Sequence, residues 1–416
     1  MEDKKNGTQG KKVGRSFGDI LLLVLFACIL LVAASRIFDL LQPLLPLRTE
    51  NTTEPGTQAA ISTVAPLATQ NPTYPPIETG KMDIRLNVYT RPVSLLTPAG
   101  RDYLAAKPVN NVTAFLTPYW ETETRSDRGS PVELSYTICA LPTDVEVVEV
   151  LFRVYPRTNR DACQEYRPAD GWRSVFVYNL CTGASYCYEV EFTLSDGTKF
   201  TLFDDFDTVL SPRLMNIDGI VNVRDLGGWR TVDGQTVKQG LVYRGSEMDG
   251  AVEPTFRLTE EGLAQMQALG IRTDMDLRHD GQDILGPDVQ HILYNAIQYE
   301  HAFSEEGMEA IRKVFADLAN PENYPVYLHC TYGADRTGTV CYLLLGLLGV
   351  SAEDMKRDYD LTALYYGHVS EMQMDPFIAR IAELPGETTQ QKVMHFLQTA
   401  GVTEEQMEQI RGIFLE

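Results

Sequence analysis

The apolar and polar positions change rhythm four times along the chain. Residues Ile20 to Ser35 are uncharged and almost wholly aliphatic, and a second apolar stretch runs from Ile37 to Leu47. From Arg48 to about Glu78 no periodicity survives: Thr, Pro, Asn and Gln dominate, too little apolar area to offset the entropy of ordering. Short alternating runs follow, Val132–Cys139, Glu146–Tyr155, Trp172–Leu180, Tyr186–Leu194 and Thr198–Phe203, with Ser195-Asp196-Gly197 as a hairpin turn. After Ser211 strands and helices alternate. Strands are predicted at Leu241–Arg244, Thr273–Leu277 and Val326–Leu328, and helices at Thr259–Leu269 and Ser304–Leu318. The rest is helical in pattern: Arg336–Leu348, Ala352–Leu364, Pro376–Leu384, Gln390–Thr399 and Glu404–Phe414. The first of these helices is apolar all round and should be buried.

These rhythms divide the 416 residues into five parts. Residues 1–19 form a basic flank with Lys4, Lys5, Lys11, Lys12 and Arg15; 20–47 a membrane segment; 48–81 a disordered linker; 82–210 an antiparallel β-sandwich; and 211–416 an α/β domain, a central sheet flanked by helices. A basic flank before an apolar run keeps the flank in the cytoplasm and sends the rest across the membrane. The expectation is a single-pass protein of the cell membrane with its folded parts outside the cytoplasm. Cleavage near Ala33 and Ser35, giving a secreted protein, is the alternative.

The net charge of −21 excludes nonspecific nucleic-acid binding, which requires clustered Lys and Arg. Any anion must be handled by a focused local site. Of seven cysteines, Cys28 lies in the apolar run, Cys330 and Cys341 lie near the end, and Cys139, Cys163, Cys181 and Cys187 could form two disulfides in an oxidising compartment, in three possible pairings.

The chemistry concentrates in Val326-Tyr-Leu-His329-Cys330-Thr331-Tyr332-Gly333-Ala334-Asp335-Arg336-Thr337-Gly338. A buried strand feeds a turn, which feeds a helix, so main-chain N–H groups from Thr331 to Arg336 can converge on one anion at a helix N-terminus. That field favours a thiolate at Cys330, the nucleophilic form. Arg336 can bind two phosphoryl oxygens through its planar fork, Gly333 lets the backbone approach the anion, and Thr337 can offer a hydroxyl to the sulfur or to the hydrolytic step. His329 is expected to orient the loop. Thr331, Tyr332, Gly333, Ala334, Arg336 and Thr337 are the candidate substrate contacts. No metal and no cofactor is called for. Cys341, inside the apolar helix, is read as a packing residue.

From about Asn216 onward the chain resembles the bacterial tyrosine phosphatases of the protein tyrosine/serine phosphatase family, whose loop reads His-Cys-x-x-Gly-Lys-Asp-Arg-Thr-Gly. Asn222-Val-Arg224-Asp225-Leu-Gly227-Gly228, Tyr243-Arg244-Gly-Ser246 and Asp276-Leu277-Arg278 agree with it. The resemblance implies the phosphatase α/β fold and activity on phosphotyrosine, with phosphoserine or phosphoinositides as extensions. The loop lysine is Ala334 here, which weakens the case for highly phosphorylated inositides. By the same resemblance Asp335 is the general acid; its rival role is a brace for the loop, and Asp280 and Asp283 are the alternatives for the acid. Arg224, Asp225, Asp276 and Arg278 are expected to support the fold through paired charges. The run Leu180–Tyr186 followed by Tyr188, Val190 and Phe192 is similar to the corner and next strand of fibronectin type III and immunoglobulin-like domains, which suggests a spacer. The partners implied are a phosphorylated protein or small phosphate ester and, through the N-terminal helix, a membrane. A noncatalytic phosphate-binding or adhesion protein is the first rival reading, and a sulfurtransferase or arsenate reductase the second.

Overall fold

The computed structural model describes residues 82–416 apart from 108, 110, 124, 297 and 368–370. The basic flank, the apolar run and the linker lie outside the described residues, as does Cys28. Among the described residues no helix is long and apolar enough to cross a membrane.

Seven strands between residues 83 and 207 form two antiparallel sheets. One has the order β1 (Asp83–Asn87), β2 (Val132–Ala140), β5 (Ser174–Val177); the other runs β4 (Gln164–Tyr166), β3 (Val147–Pro156), β6 (Ser185–Leu194), β7 (Lys199–Asp207). Alternation explains β6, in which Tyr186, Tyr188, Val190, Phe192 and Leu194 point inward and are buried. The first four meet Val132, Leu134 and Tyr136 of β2 and Phe152 and Val154 of β3 in one apolar cluster. At the corner before β6, the Cys181 N–H donates to Tyr186 Oη at 2.8 Å. Cys139, Cys163, Cys181 and Cys187 are all free thiols, so neither anticipated disulfide is formed. Cys139 belongs to β2 in one sheet and Cys187 to β6 in the other, and the strand pairing does not set them side by side.

The segment between β1 and β2 departs from the expected run of strands. It folds into α1 (Pro98–Ala105) and α2 (Val112–Trp120). Thr97 caps α1 with Pro98 in its first turn, and Asn111 Oδ1 accepts the Ala114 N–H at 2.8 Å to cap α2. Ala99, Tyr103, Val112 and Leu116 are buried in the core of the C-terminal part, away from the sheet sequences that flank them. The physical reason is apolar burial: these helices find their partner in the helical layer that covers a third sheet.

That sheet has six strands in the order β12 (Gln290–Leu293), β11 (Thr273–Asp276), β13 (Val326–His329), β10 (Val242–Gly245), β9 (Arg224–Asp225), β8 (Arg213–Leu214). The first four are parallel and the last two antiparallel. Its central strand β13 is wholly buried, with Val326 and Leu328 facing one layer and Tyr327 the other. On the Tyr327 side lies α3 (Glu260–Ala268), contributing Met266. The larger layer contains α4 (Glu305–Leu318), α5 (Asp335–Leu348), α6 (Ala352–Asp360), α7 (Ala363–Tyr366), α8 (Glu371–Ala382), α9 (Thr389–Thr399) and α10 (Glu404–Phe414). The predicted helix Ala352–Leu364 is thus two helices. Every residue of α5 from Thr337 to Leu348 is buried, as its all-apolar sequence requires.

Arg213 fastens the all-β part to this sheet. Its Nε donates to the Leu180 carbonyl at 2.9 Å and its Nη1 to Asp225 Oδ2 at 3.0 Å. Thr182 and Gln239 add a reciprocal pair, the Thr182 N–H donating at 2.9 Å and Gln239 Nε2 returning a bond to the Thr182 carbonyl at 2.7 Å.

Candidate active site

Open parallel sheets place ligands beyond the carboxyl ends of their strands, and here β10, β11 and β13 end together. Arg244 stands at the end of β10, Asp276 closes β11 just before Arg278, and β13 runs into Cys330. Cys330 is 2% exposed, at the bottom of the turn that leads into α5.

The main-chain carbonyls of this turn are captured from outside, one after another. Thr331 O accepts the Glu247 N–H at 3.0 Å; Tyr332 O accepts Asn222 Nδ2 at 3.1 Å and Tyr366 Oη at 2.7 Å; Gly333 O accepts Arg244 Nη2 at 2.8 Å; and Ala334 O accepts the Gly338 N–H at 2.7 Å. His329 Nδ1 lies 3.3 Å from the Cys330 carbonyl. No N–H group from Thr331 to Arg336 makes a hydrogen bond among the described residues. A peptide unit whose C=O is fixed outward presents its N–H to the other side, so the turn keeps a set of unspent donors on its concave face. Gly333 has φ +65°, and a Cβ there would lie 2.3 Å from Gly245 O.

Arg336, in the first turn of α5, reaches back across the loop. Its Nη1 donates to Leu277 O at 3.3 Å and its Nη2 to Thr331 Oγ1 at 3.2 Å. Thr337 Oγ1 is buried and has no partner among the described residues, an orphan that ordinarily costs about 1–3 kcal/mol. Asp335 Oδ1 accepts the hydroxyl of Tyr299, which in turn lies 2.7 Å from Tyr359 Oη. Burial, Tyr359 and Asp335 push the Tyr299 phenol far above its ordinary value, so it remains a donor. Asp335 therefore has a bracing contact on one oxygen and an uncommitted second oxygen among the described residues.

Below the loop, Asp358 of α6 is shared by two buried arginines. Arg224 Nε reaches Asp358 Oδ1 at 3.1 Å, and Arg244 Nη1 reaches Oδ2. Burial opposes the Asp358 charge, yet Arg224 and Arg244 outweigh it and hold the carboxyl below its ordinary range. Arg224 also donates through Nη1 to Asn222 Oδ1 at 2.6 Å. His329 Nε2 lies 2.9 Å from Asp274 Oδ1 and 3.9 Å from Asp276 Oδ2. Burial disfavours its charge, but Asp274 and Asp276 push the imidazole up to about 9.

The remaining sequence candidates, the bonded pair Asp276 and Arg278 excepted, lie apart from one another. Arg278 is held by three carboxylates: Asp276, with Nη2 to Oδ2 at 2.7 Å; Asp249, with Nη1 to Oδ1 at 2.9 Å; and Glu247. Asp225 accepts from Arg213, from Gly227 N–H at 2.8 Å and from Gly240 N–H at 2.6 Å. Asp280 and Asp283 are exposed; Asp280 pairs with His279 at 3.5 Å, and Asp283 accepts the Gly286 N–H at 3.2 Å. Sequence reasoning did not assign Asn222, Arg244, Glu247, Asp358 or Tyr366 to the site. Asp358 had a readable signal, a carboxylate on the apolar stripe Met355, Asp358, Tyr359 of an otherwise amphipathic helix.

Residues 215–416 match the tyrosine phosphatase family. The matched residues cover the α/β part with its central sheet. Two curated relatives agree. A tyrosine-protein phosphatase of Nostoc commune is 28% identical over 26% of this chain and 46% of its own length. A Cupriavidus necator protein named as a candidate tyrosine-protein phosphatase is 27% identical over 34% of this chain and 60% of its own. The chain spans about half the length of the curated relatives it matches. Among solved structures, the core catalytic domain of the PP-IP phosphatase SIW14 from S. cerevisiae, in complex with citrate, is 18% identical, with a TM-score of 0.22, over 34% of this chain and 85% of that one. At that level the likeness carries no argument about substrate.

The Cys330 loop has an aromatic rim. Tyr332 is 41% exposed, and its ring meets Phe256 at 6.0 Å and Tyr366 at 5.7 Å, both edge-on. Among the described residues no group of His, Cys, Asp and Glu is arranged to hold a metal ion. A groove of about 570 Å3 on the all-β part, bordered by Tyr136, Val148, Trp172 and Arg173, includes none of the loop residues.

Proposed function

We propose that this protein hydrolyses phosphate monoesters, with phosphotyrosine in proteins as the preferred class, through a phosphocysteine at Cys330. The observation that carries this reading is the turn with its carbonyls tied outward, its N–H groups unspent, a cysteine at its floor and an arginine folded over it. The Cys330 thiolate attacks phosphorus in line with the ester oxygen; the S–P bond forms as the P–O bond breaks. Asp335 gives its proton to the leaving oxygen through the carboxylate oxygen that Tyr299 does not engage. Water then attacks the phosphocysteine, Asp335 takes a proton from it, and inorganic phosphate leaves with the thiolate restored. The loop N–H groups and Arg336 stabilise the equatorial oxygens in both transition states. The buried, unpartnered hydroxyl of Thr337 supports a role in serving the sulfur as a leaving group in the second step.

The rim of Tyr332, Phe256 and Tyr366 supports an aryl substrate, since aromatic rings pack favourably edge-to-face. Ala334, standing where the family loop has lysine, removes a cation that additional phosphates would need. The two antiparallel sheets ahead of the catalytic part, with the Cys181–Tyr186 corner, support a fibronectin type III or immunoglobulin-like spacer. The basic flank and apolar run support export with a membrane anchor, leaving the phosphatase outside the cytoplasm.

Hydrolysis of p-nitrophenyl phosphate by reduced protein, abolished by Cys330→Ser and indifferent to chelator, is the expected result. No turnover from mildly acidic to neutral pH would favour a noncatalytic phosphate-binding protein instead. Asp335→Asn should lower turnover most for esters with poor leaving groups. Equal loss across a leaving-group series would reduce Asp335 to a brace.

A further inference from the structure

Asp127 lies upstream of the region that matches the phosphatase family, on the segment joining α2 to β2. That segment is tied to the loop before α1 and to itself, and it packs on β8 of the α/β part. The Ser130 N–H donates to Leu95 O at 2.7 Å, Thr97 Oγ1 donates to Ser126 O at 3.0 Å, and Ser126 Oγ donates to Glu123 Oε2 at 2.8 Å. Gly129 passes so near Leu214 that a Cβ would lie 2.3 Å from its carbonyl oxygen. Asp127 is 3% exposed, and Arg125 grips it with two bonds, Nε to Oδ1 at 2.8 Å and Nη2 to Oδ2 at 3.0 Å. The same guanidinium lies 5.2 Å from the ring centre of Tyr365, next to the Tyr366 that bonds the loop.

The other partner of Asp127 gives it a role. Its Oδ2 accepts the main-chain N–H of Asn222 at 2.9 Å. Asn222 has φ +57°, a left-handed conformation that a non-glycine residue keeps only when its surroundings fix it. Held so, Asn222 sends Nδ2 to Tyr332 O at 3.1 Å and Oδ1 to Arg224. Tyr332 O is one of the carbonyls whose outward direction leaves the loop N–H groups facing the anion. We infer that Asp127 is a positioning residue for the phosphate-binding loop: acting through Asn222, it keeps the Tyr332 peptide turned so that the loop can bind an oxyanion. The catalytic apparatus thus includes a segment outside the family domain. This rests on the phosphatase reading of the loop.

The test uses the full chain and two independent readouts: tungstate binding by calorimetry, and kcat and KM for p-nitrophenyl phosphate. Asp127→Ala should weaken tungstate binding and lower kcat/KM by about tenfold, the worth of one charge-assisted hydrogen bond. Asp127→Asn keeps an acceptor for Asn222 while losing the Arg125 ion pair, and should fall between Asp127→Ala and wild type. Arg128→Ala, on the same segment but directed at Asp218 at 3.5 Å, should leave both readouts unchanged. The inference is overturned if folded Asp127→Ala binds tungstate as wild type does, or if Arg128→Ala loses as much. Should Asp127→Ala not fold, Asp127→Ser, whose shorter side chain withdraws the acceptor from the Asn222 N–H, takes its place, and wild-type tungstate binding by that variant overturns the inference equally. Wild type that binds tungstate but turns over no ester would defeat the phosphatase reading alone, and the binding comparison would still decide the role of Asp127.

Discussion

The buried imidazole of His329 makes the stability of this protein depend on pH in a direction that can be worked out beforehand. In the unfolded chain the ring titrates near 6.5; in the folded protein, burial opposes its charge but Asp274 and Asp276 carry it up to about 9. Folding therefore favours the protonated ring. The stabilisation is complete below about pH 6.5 and is lost as pH rises through 9, and a rise of this size is worth about 3 kcal/mol. Cys341 adds a loss of the same sign at higher pH, because burial pushes its thiol up to about 11. The difference between wild type and His329→Gln, and not the raw slope, therefore isolates the histidine. Urea unfolding at constant ionic strength at pH 6, 7.5 and 9.5 would supply the numbers, provided the m-value stays constant. Wild type should lose about 3 kcal/mol more than His329→Gln across that range. Equal slopes, or a wild type that grows more stable toward pH 9.5, would refute the charged His329 and with it the ion pair to Asp274.

Asp358→Ala leaves the guanidinium groups of Arg224 and Arg244 buried without their shared carboxylate, a change of about 3–5 kcal/mol that urea unfolding would register. Gly333→Ala should fold but bind tungstate poorly, since the loop must shift to relieve the contact with Gly245 O; unchanged calorimetric affinity would mean the turn tolerates a side chain there.

What the sequence disclosed and what it concealed divide by distance along the chain. Helix limits were legible where caps are local: Thr259, Ser304 and Thr403 each accept an N–H three residues on, and the helices they open begin within a residue of the apolar pattern. The thiol, glycine and arginine of the loop were legible for the same reason, seven consecutive positions dictating one turn. Helices α1 and α2 were overlooked although Thr97-Pro98 and Asn111 are ordinary start signals, because strands on either side set the expectation and only the distant core explains their apolar faces. The break between α6 and α7 was missed likewise: no glycine or proline marks it. Asn222, Arg244 and Tyr366 serve the loop from 108, 86 and 36 positions away, counted from Cys330, and no local pattern announces such a meeting.

Those distant residues also bear on the proposed binding of a dianion by a chain of net charge −21. Beneath the loop Arg224 and Arg244 share the single carboxylate of Asp358, which leaves a surplus positive charge that is wholly buried. Burial and the neighbouring Arg244 push Arg224 downward, the mark of two cations competing for one partner. Surface carboxylates are screened within about 10 Å at ordinary ionic strength, whereas a buried surplus is not. Arg244 joins that surplus to the loop, since the guanidinium that faces Asp358 also binds Gly333 O at 2.8 Å. Replacing the loop lysine by Ala334 then removes charge at the rim without removing it from the floor.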